Sequence, residues 1–257
     1  MPLGEGVWVY AVTTDRADLT GITEIRGVAG EPLRTVTEVG YAAVVGSVDL
    51  DEFGEQALRR NLEDLDWLSQ VARRHDAVVA AVCTIGPTVP LRLATVYFDD
   101  ERVRTMLHEQ AAALGEALDR IAGRAEWGVR AFSDLSAPGN AAKPSGKRSG
   151  TEYLMQRRAQ VTARKDAETV AAKQADSIYA ELGRGAVAAI RQPLSQSTLS
   201  PRHGSEILNA TFLVDDRRSK EFVASVEAVD ARDDDVDIVL TGPWPPYSFT
   251  AVEAQAR

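Results

Sequence analysis

The sequence predicts an α+β protein of two domains, with ferredoxin-like features and a C-terminal tail rich in proline and aromatic residues. Runs rich in β-branched, aromatic and other apolar residues, typical of strands, are interspersed with stretches whose apolar residues recur every three or four positions, as in helices. A segment rich in Ala, Pro, Gly, Ser and Lys, residues 136–150, separates the two halves. From about residue 126 the elements follow the order strand, helix, strand, strand, helix, strand, which is typical of a split β-α-β unit.

These observations set the predicted domain boundaries. We assign residues 1–135 to an N-terminal α+β domain, 136–150 to a flexible loop or linker, and 151–257 to a C-terminal α+β domain that ends in a tail, 242–257. The strand expected at residues 126–132 is compatible with either domain. A chain of 257 residues is long enough for two small domains or one large one.

In the first half, apolar residues spaced by three or four predict one helix from about residue 58 to 72 and a second over residues 103–121. The continuous apolar run at residues 78–85 predicts a buried strand. Residues 90–98 predict another strand, in which Arg92 is an unusual buried charge that needs a partner. Further strands are expected at residues 7–12, at 33–48 as a pair turning near Gly40, and at 126–132.

In the second half, residues 152–182 predict a long helix, because they contain no proline and many good helix formers. A second helix is expected at residues 215–231. Strands are expected at residues 194–199, 207–214 and 236–241, and the last of these runs directly into the tail.

Composition narrows the possible partners and compartment. The net charge of −9 argues against nucleic acid and anionic lipid membranes, whose binding proteins usually present a basic surface. The single cysteine, Cys83, excludes an intramolecular disulfide and fits a reducing compartment. We see neither a signal peptide nor an apolar run of about 18 residues, so we expect a cytoplasmic protein.

None of the patterns that would indicate an active site or a metal centre is complete. Gly146-Lys147-Arg148 lacks the earlier glycine and the following Ser or Thr of a phosphate-binding loop. The acidic stretch 230–237 lacks the central glycine and final glutamate of a calcium loop. The three histidines, including His75, are far apart, and Cys83 lies in an apolar run. We therefore expect no catalytic residue, no cofactor and no metal.

One local basic feature stands out in this acidic chain. It is formed by cations of the predicted long helix: Arg157, Arg158, Arg164 and Lys165. Such a cluster is either a solvated helix face or a docking face for an acidic protein partner. The scarcity of interleaved aromatic residues weakens a third interpretation, binding of single-stranded nucleic acid.

The tail contains the most distinctive stretch, Gly-Pro-Trp-Pro-Pro-Tyr-Ser-Phe at residues 242–249. Because proline cannot donate to a sheet ladder or continue a helix, we expect an extended segment that presents three aromatic side chains. The residues concerned are Pro243, Trp244, Pro245, Pro246, Tyr247 and Phe249. The segment is either a clasp packed on the protein's own domains or a contact surface for a partner, since aromatic residues are enriched in both settings.

Five stretches together resemble the gas vesicle GvpF/GvpL family, over residues from about 7 to 249. They are the helical segment 61–75, Pro90-Leu91-Arg92 through Thr95, Glu126-Trp127-Gly128-Val129, Tyr153-Leu154 with Arg157, and the Gly-Pro-Trp-Pro-Pro-Tyr-Ser-Phe tail. This chain has Leu93-Ala94 where Phe-Gly is common in the family.

The resemblance implies two α+β domains with ferredoxin-like features and a non-enzymatic role in gas vesicle formation. It implies binding to the hydrophobic gas vesicle shell protein and other assembly factors, in the cytoplasm and in association with gas vesicles. One alternative is a minor structural component of the vesicle wall. A second is a small-molecule enzyme on a ferredoxin-like scaffold, whose candidate groups are Arg92, His75, Glu63 and Glu126.

Overall fold

The computed structural model describes residues 4–133, 150–195, 204–232 and 235–250. The chain divides into two units, Met1–Glu126 with Pro243–Arg257 and, between them, Trp127–Gly242. The sequence-based boundary at residues 136–150 lies outside the described residues except for Gly150. Of the tail, which the prediction assigns to the second domain, Gly242 belongs to the second unit and the described residues from Pro243 onward belong to the first.

The first unit is built on a five-stranded sheet. Its strands are β1 (Glu5–Thr14), β2 (Leu33–Glu38), β3 (Tyr41–Asp49), β4 (Val89–Pro90) and β5 (Val96–Tyr97). The order is β2-β3-β1-β4, and β5 also pairs with β1, so β4 and β5 share one side of β1. All pairings in this sheet are antiparallel. The side chains of residues 7–13 of β1 are buried, as expected for a strand at the centre of a sheet.

Five α-helices occur in the described part of the first unit. They are α1 (Leu50–Phe53), α2 (Glu55–Asn61), α3 (Leu65–Ile85), α4 (Asp100–Glu109) and α5 (Ala111–Ile121). Asp49, Asp64 and Asp99 cap the starts of α1, α3 and α4 by accepting backbone N–H groups. The main core joins aromatic residues of β1 and α1 to one face of α3.

The prediction of a buried strand at residues 78–85 is wrong, because these residues form the last turns of α3. Val78, Val79 and Val82 are buried, whereas Ala80 and Thr84 are exposed. Burial thus follows the helical period. A short apolar run does not by itself distinguish a buried strand from a buried helix, and this one continues a helix that begins at Leu65.

The single strand predicted at residues 90–98 is also wrong. The chain forms β4, a turn and β5, and Arg92 is exposed in the turn, so the expected buried charge does not exist. Ala94 has a φ of 66°, which ends any extended run there. Likewise, the helix predicted over residues 103–121 is divided at Gln110 into α4 and α5.

In its described residues, the second unit contains a four-stranded sheet and two α-helices. The elements are β6 (Arg124–Ser133), α6 (Gly150–Gly183), β7 (Ala188–Arg191), β8 (Ser205–Asp215), α7 (Ser219–Asp230) and β9 (Val236–Trp244), with the sheet order β7-β8-β6-β9. The core packs Phe212 of β8 against Phe222 of α7 and Leu182 of α6. Ser195 and Leu194 are not in a strand, and the remainder of the strand predicted at 194–199 lies outside the described residues.

Candidate functional site

The distinctive segment begins as a strand, contrary to the expectation that its prolines would end the sheet. β9 continues through Pro243 to Trp244. This is possible because β9 is the last strand in the order β7-β8-β6-β9, and proline is tolerated at a sheet edge. The side chain of Trp244 is 54% exposed. An exposed tryptophan between two prolines is held in an extended backbone.

After Trp244 the segment turns inward. Pro246 is buried, residues Tyr247–Phe249 form one turn of 3₁₀ helix, and Phe249 is only 4% exposed. Arg120 Nη1 donates to the carbonyl oxygen of Phe249 at 3.4 Å. Burial of one phenylalanine side chain is worth about 1.5–3 kcal/mol. This part of the segment is therefore anchored on the first unit.

Glu126 provides the polar anchor of the segment. The backbone N–H of Ser248 donates to Glu126 Oε2 at 2.8 Å, and the Ser248 hydroxyl donates to Oε1 at 2.8 Å. Glu126 is only 7% exposed, and this burial raises the pKa of its carboxyl group, although the two Ser248 hydrogen bonds act in the opposite direction. Because both oxygens of this buried carboxylate accept hydrogen bonds from Ser248, Glu126 has a structural role and holds the segment in place.

Tyr247 completes the anchor. Its ring packs against the core of the first unit, and its hydroxyl donates to Asp76 Oδ1 of α3 at 3.1 Å. Burial raises the pKa of the Tyr247 hydroxyl, and the negative charge of Asp76 raises it further. The segment 242–249 thus has two structurally different parts. Trp244 is exposed, whereas the turn at residues 246–249 is anchored.

The predicted basic face lies on the first half of α6. Arg157, Arg158, Arg164 and Lys165 are all exposed. Arg164 Nε donates to Glu168 Oε1, one helical turn later, at 3.0 Å. Ala171 is the first buried residue among the described side chains of α6, so those of its basic half contribute nothing buried to the core.

The loose enzyme candidates have other roles or are exposed. His75 is 1% exposed; its Nδ1 accepts from Trp8 Nε1 at 3.0 Å, and its Nε2 donates to the Leu91 carbonyl oxygen at 3.0 Å. Glu126 holds Ser248, while Arg92 and Glu63 are exposed. Among the described residues, no three His, Cys, Asp or Glu side chains are grouped as a metal would require.

Two features escaped prediction from the sequence. Tyr10 donates to Glu31 Oε1 at 2.5 Å, and the Val28 N–H donates to the Tyr10 hydroxyl at 2.8 Å, so a loop is fastened onto β1. The second feature is an apolar cavity of about 590 Å³, which we call the β5 groove. It lies in the first unit, and its lining includes Phe53, Ala57, Leu58, Val96 and Phe98. Each feature joins stretches that are far apart in the sequence, so local patterns give no signal for it.

Within the described ranges, no helix has the length and apolar character needed to cross a membrane.

At the turn from α7 to β9, Asp230 Oδ1 accepts the Ile238 N–H at 2.8 Å. This bond gives one carboxylate of the acidic stretch 230–237 a structural role. Asp233 and Asp234 lie outside the described residues.

Comparisons with known proteins give a consistent result. The family model described as "Gas vesicle synthesis protein GvpL/GvpF" matches residues 6–251. The chain is 38% identical to gas vesicle protein L of Streptomyces sp. (strain CB03234), over 95% of this chain and 92% of the relative. It is 25% identical to gas vesicle protein F2 of Halobacterium salinarum, over 98% of this chain and 94% of that protein.

Solved structures agree with these matches in fold. The crystal structure of GvpF from Anabaena sp. PCC7120 superposes with a TM-score of 0.71 at 21% identity, covering 97% of this chain and 98% of that one. GvpF from Microcystis aeruginosa gives a TM-score of 0.68 at 18% identity, covering 96% and 99%. The predicted mixed α and β architecture is confirmed. Because the family model spans nearly the whole sequence, the chain belongs to the gas vesicle GvpL/GvpF family.

Proposed function

We propose that this protein is a non-enzymatic assembly factor of gas vesicle formation that binds the hydrophobic shell protein and other gas vesicle proteins. Family membership supports a role in gas vesicle formation, since the members of this family are described as gas vesicle synthesis proteins. A shell subunit with exposed apolar surface is an aggregation hazard before it is incorporated, so it needs a partner that covers this surface. We place this activity in the cytoplasm, close to growing gas vesicles.

Trp244 is the observation that carries the proposal. It is 54% exposed at the end of β9, while the residues that follow it are anchored by Glu126 and the core. A tryptophan held by a rigid backbone loses little conformational entropy on binding, and exposed tryptophans are enriched among interface residues that dominate affinity. We assign the contact to Trp244 and the clasp to Pro246, Tyr247 and Phe249.

The scaffold fits this role. We propose that the second unit is a ferredoxin-like domain, because its element order β6-α6-β7-β8-α7-β9 is that of a split β-α-β unit. In this arrangement the edge strand β9 presents Trp244 at its end. The exposed basic residues of α6 offer a second surface for a partner.

The test is a Trp244→Ala variant, tagged at its N-terminus and co-expressed with the gas vesicle shell protein of the same organism. We expect the variant to keep its unfolding midpoint, because the side chain is more than half exposed, and to retain much less shell protein in a pull-down. Undiminished retention of the shell protein would contradict the assignment of the contact to Trp244.

Phe98→Ala is the matched control, since Phe98 is another large exposed aromatic residue, at 64%. We expect this variant to retain the shell protein. A Phe249→Ala variant separates the clasp from the contact. It should lower the unfolding midpoint, because truncation of a buried phenylalanine reduces the free energy of unfolding by about 3–5 kcal/mol. Deletion of the gene in a vesicle-forming host tests the wider role, and normal vesicles without the protein would count against it.

A further inference from the structure

The β5 groove has the properties of a docking site. It measures about 590 Å³ and lies between α1, α2 and the strand β5. Phe98 stands beside it with 64% of its surface exposed. A groove of this size with an apolar lining and an exposed aromatic rim is typical of sites that accept another molecule.

The surroundings of the groove are acidic. Asp51 and Glu55 line it, and Arg60 is the cation in its lining. The helices that border the groove and the adjoining loops carry acidic residues at Asp49, Asp51, Glu52, Glu55, Glu63, Asp64 and Asp66, against Arg59 and Arg60. Asp99 and Asp100 follow directly after Phe98, and Asp100 is paired with Arg34. The groove therefore favours an apolar segment with positive charge.

The same chain presents such a segment on its other unit. In the first half of α6, Met155 is 67% exposed and Val161 is 64% exposed. Arg158 and Lys165 are exposed as well, and with Met155 and Val161 they occupy one face at helical spacing. No acidic residue occurs between Glu152 and Asp166. A helix whose described side chains bury nothing before Ala171 is marginally stable by itself and gains from a partner.

We propose that two copies of this chain associate head to tail, with the basic half of α6 of one copy lying in the acidic β5 groove of the next. In this arrangement Met155 and Val161 meet the apolar floor near Phe98, and Arg158 and Lys165 face Asp51 and Glu55. This is the helix-in-groove mode of recognition, in which apolar anchors give affinity and flanking charges give register. Pairing of the basic halves of two α6 helices is disfavoured, since each half carries the same positive charge.

A contact between two different surfaces leaves one unused groove and one unused helix on every dimer, so further copies can add to it. We therefore expect the mass of the assembly to rise with concentration beyond that of a dimer. Because the charges are exposed, salt should weaken the association. Self-association is measured on the purified chain alone, so it is independent of whether the shell protein binds at Trp244.

The test uses two charge-reversed variants of the full chain in sedimentation at several concentrations and two salt concentrations. The helix variant carries Arg158→Glu and Lys165→Glu, and the groove variant carries Asp51→Lys and Glu55→Lys. We expect the wild-type chain to self-associate and each variant alone to associate at least about tenfold more weakly, because like charges face each other. A mixture of the two variants should associate again, since each helix then meets a groove of opposite charge.

The control variant carries Arg217→Glu and Lys220→Glu, two exposed cations beside and within α7, and has the same net charge as the helix variant. It should associate like the wild type. Circular dichroism and the unfolding midpoint verify that each variant is folded. The proposal is overturned if the wild-type chain is monomeric at all concentrations, or if the two reversed variants fail to associate when mixed.

Discussion

Glu126 and Ser248 form a closed pair in which both carboxylate oxygens of the glutamate accept from the same serine, one from its backbone and one from its hydroxyl. Glu126 lies near the start of β6, and Ser248 lies in the 3₁₀ turn at Tyr247–Phe249. Two of the stretches that resemble the gas vesicle family therefore meet in one structural contact.

Glu126→Ala should destabilise the protein by about 1.5–3 kcal/mol, the usual worth of hydrogen bonds to a charged group. Ser248→Ala removes only the hydroxyl bond and should cost about 1 kcal/mol. Urea unfolding gives both values. Hydrogen exchange in the turn at residues 246–249 should be faster in Glu126→Ala than in Ser248→Ala. Equal exchange in the two variants and the wild type would show that Glu126 does not hold the turn.

Stability should decrease as the pH falls below about 6.5, the ordinary pKa of histidine, because of His75. Burial lowers the pKa of His75 in the folded protein, and the bond to Leu91 and the charge of Asp76 only partly offset this. The unfolded chain therefore binds a proton at a pH where the folded chain does not. The contribution of neutral His75 is complete above the unfolded pKa and is lost as the pH falls towards the folded pKa.

His75→Gln is the matched variant for this effect, since glutamine can accept from Trp8 and donate to Leu91 without titrating. Urea unfolding at pH 5, 6 and 7.5 should show a smaller pH dependence in the variant than in the wild type. The same slope in both proteins would assign the pH dependence to other groups.

Ala94→Gly should stabilise the protein. Ala94 has a φ of 66°, a conformation that costs a residue with a Cβ roughly 1–2 kcal/mol, whereas glycine adopts it freely. The entropy that glycine loses on folding offsets part of this gain, which leaves about 0.5–1 kcal/mol. The measurement is the urea midpoint. Ala80→Gly, at an exposed position of α3, is a control that should lose stability. A lower stability of the Ala94→Gly variant would show that the backbone at Ala94 is not strained.

Gly46→Ala should be destabilising by about 1–3 kcal/mol, because an added Cβ would lie 2.2 Å from Glu31 Oε1. That oxygen accepts from the buried Tyr10 hydroxyl, which would lose its acceptor. In a Glu31→Ala background the same substitution should cost much less, since the obstructing carboxylate is gone. Additive effects in this double-mutant cycle would exclude a direct clash.

The sequence predicts most elements of the fold but not how they meet. The sequence marks the tail as distinctive and points to both Trp244 and Phe249, yet nothing in a row of prolines and aromatic residues shows that Trp244 is exposed and Phe249 is buried. The run at residues 78–85 resembles a buried strand because consecutive apolar residues also occur where a helix is largely buried. The β5 groove was not predicted, since Phe53 and Phe98 come together only through the pairing of β5 with β1.

The return of the tail to the first unit has a consequence for protein synthesis. Residues 127–242 must leave the ribosome before Ser248 reaches Glu126, which takes roughly 6–25 s at ~5–20 residues per second. During that interval the nascent first unit lacks Phe249, so apolar surface that this side chain later covers is open to solvent. Residues that are translated later thus cover the core of a unit that is mostly translated earlier, and a chain terminated before Phe249 leaves part of that core exposed to solvent.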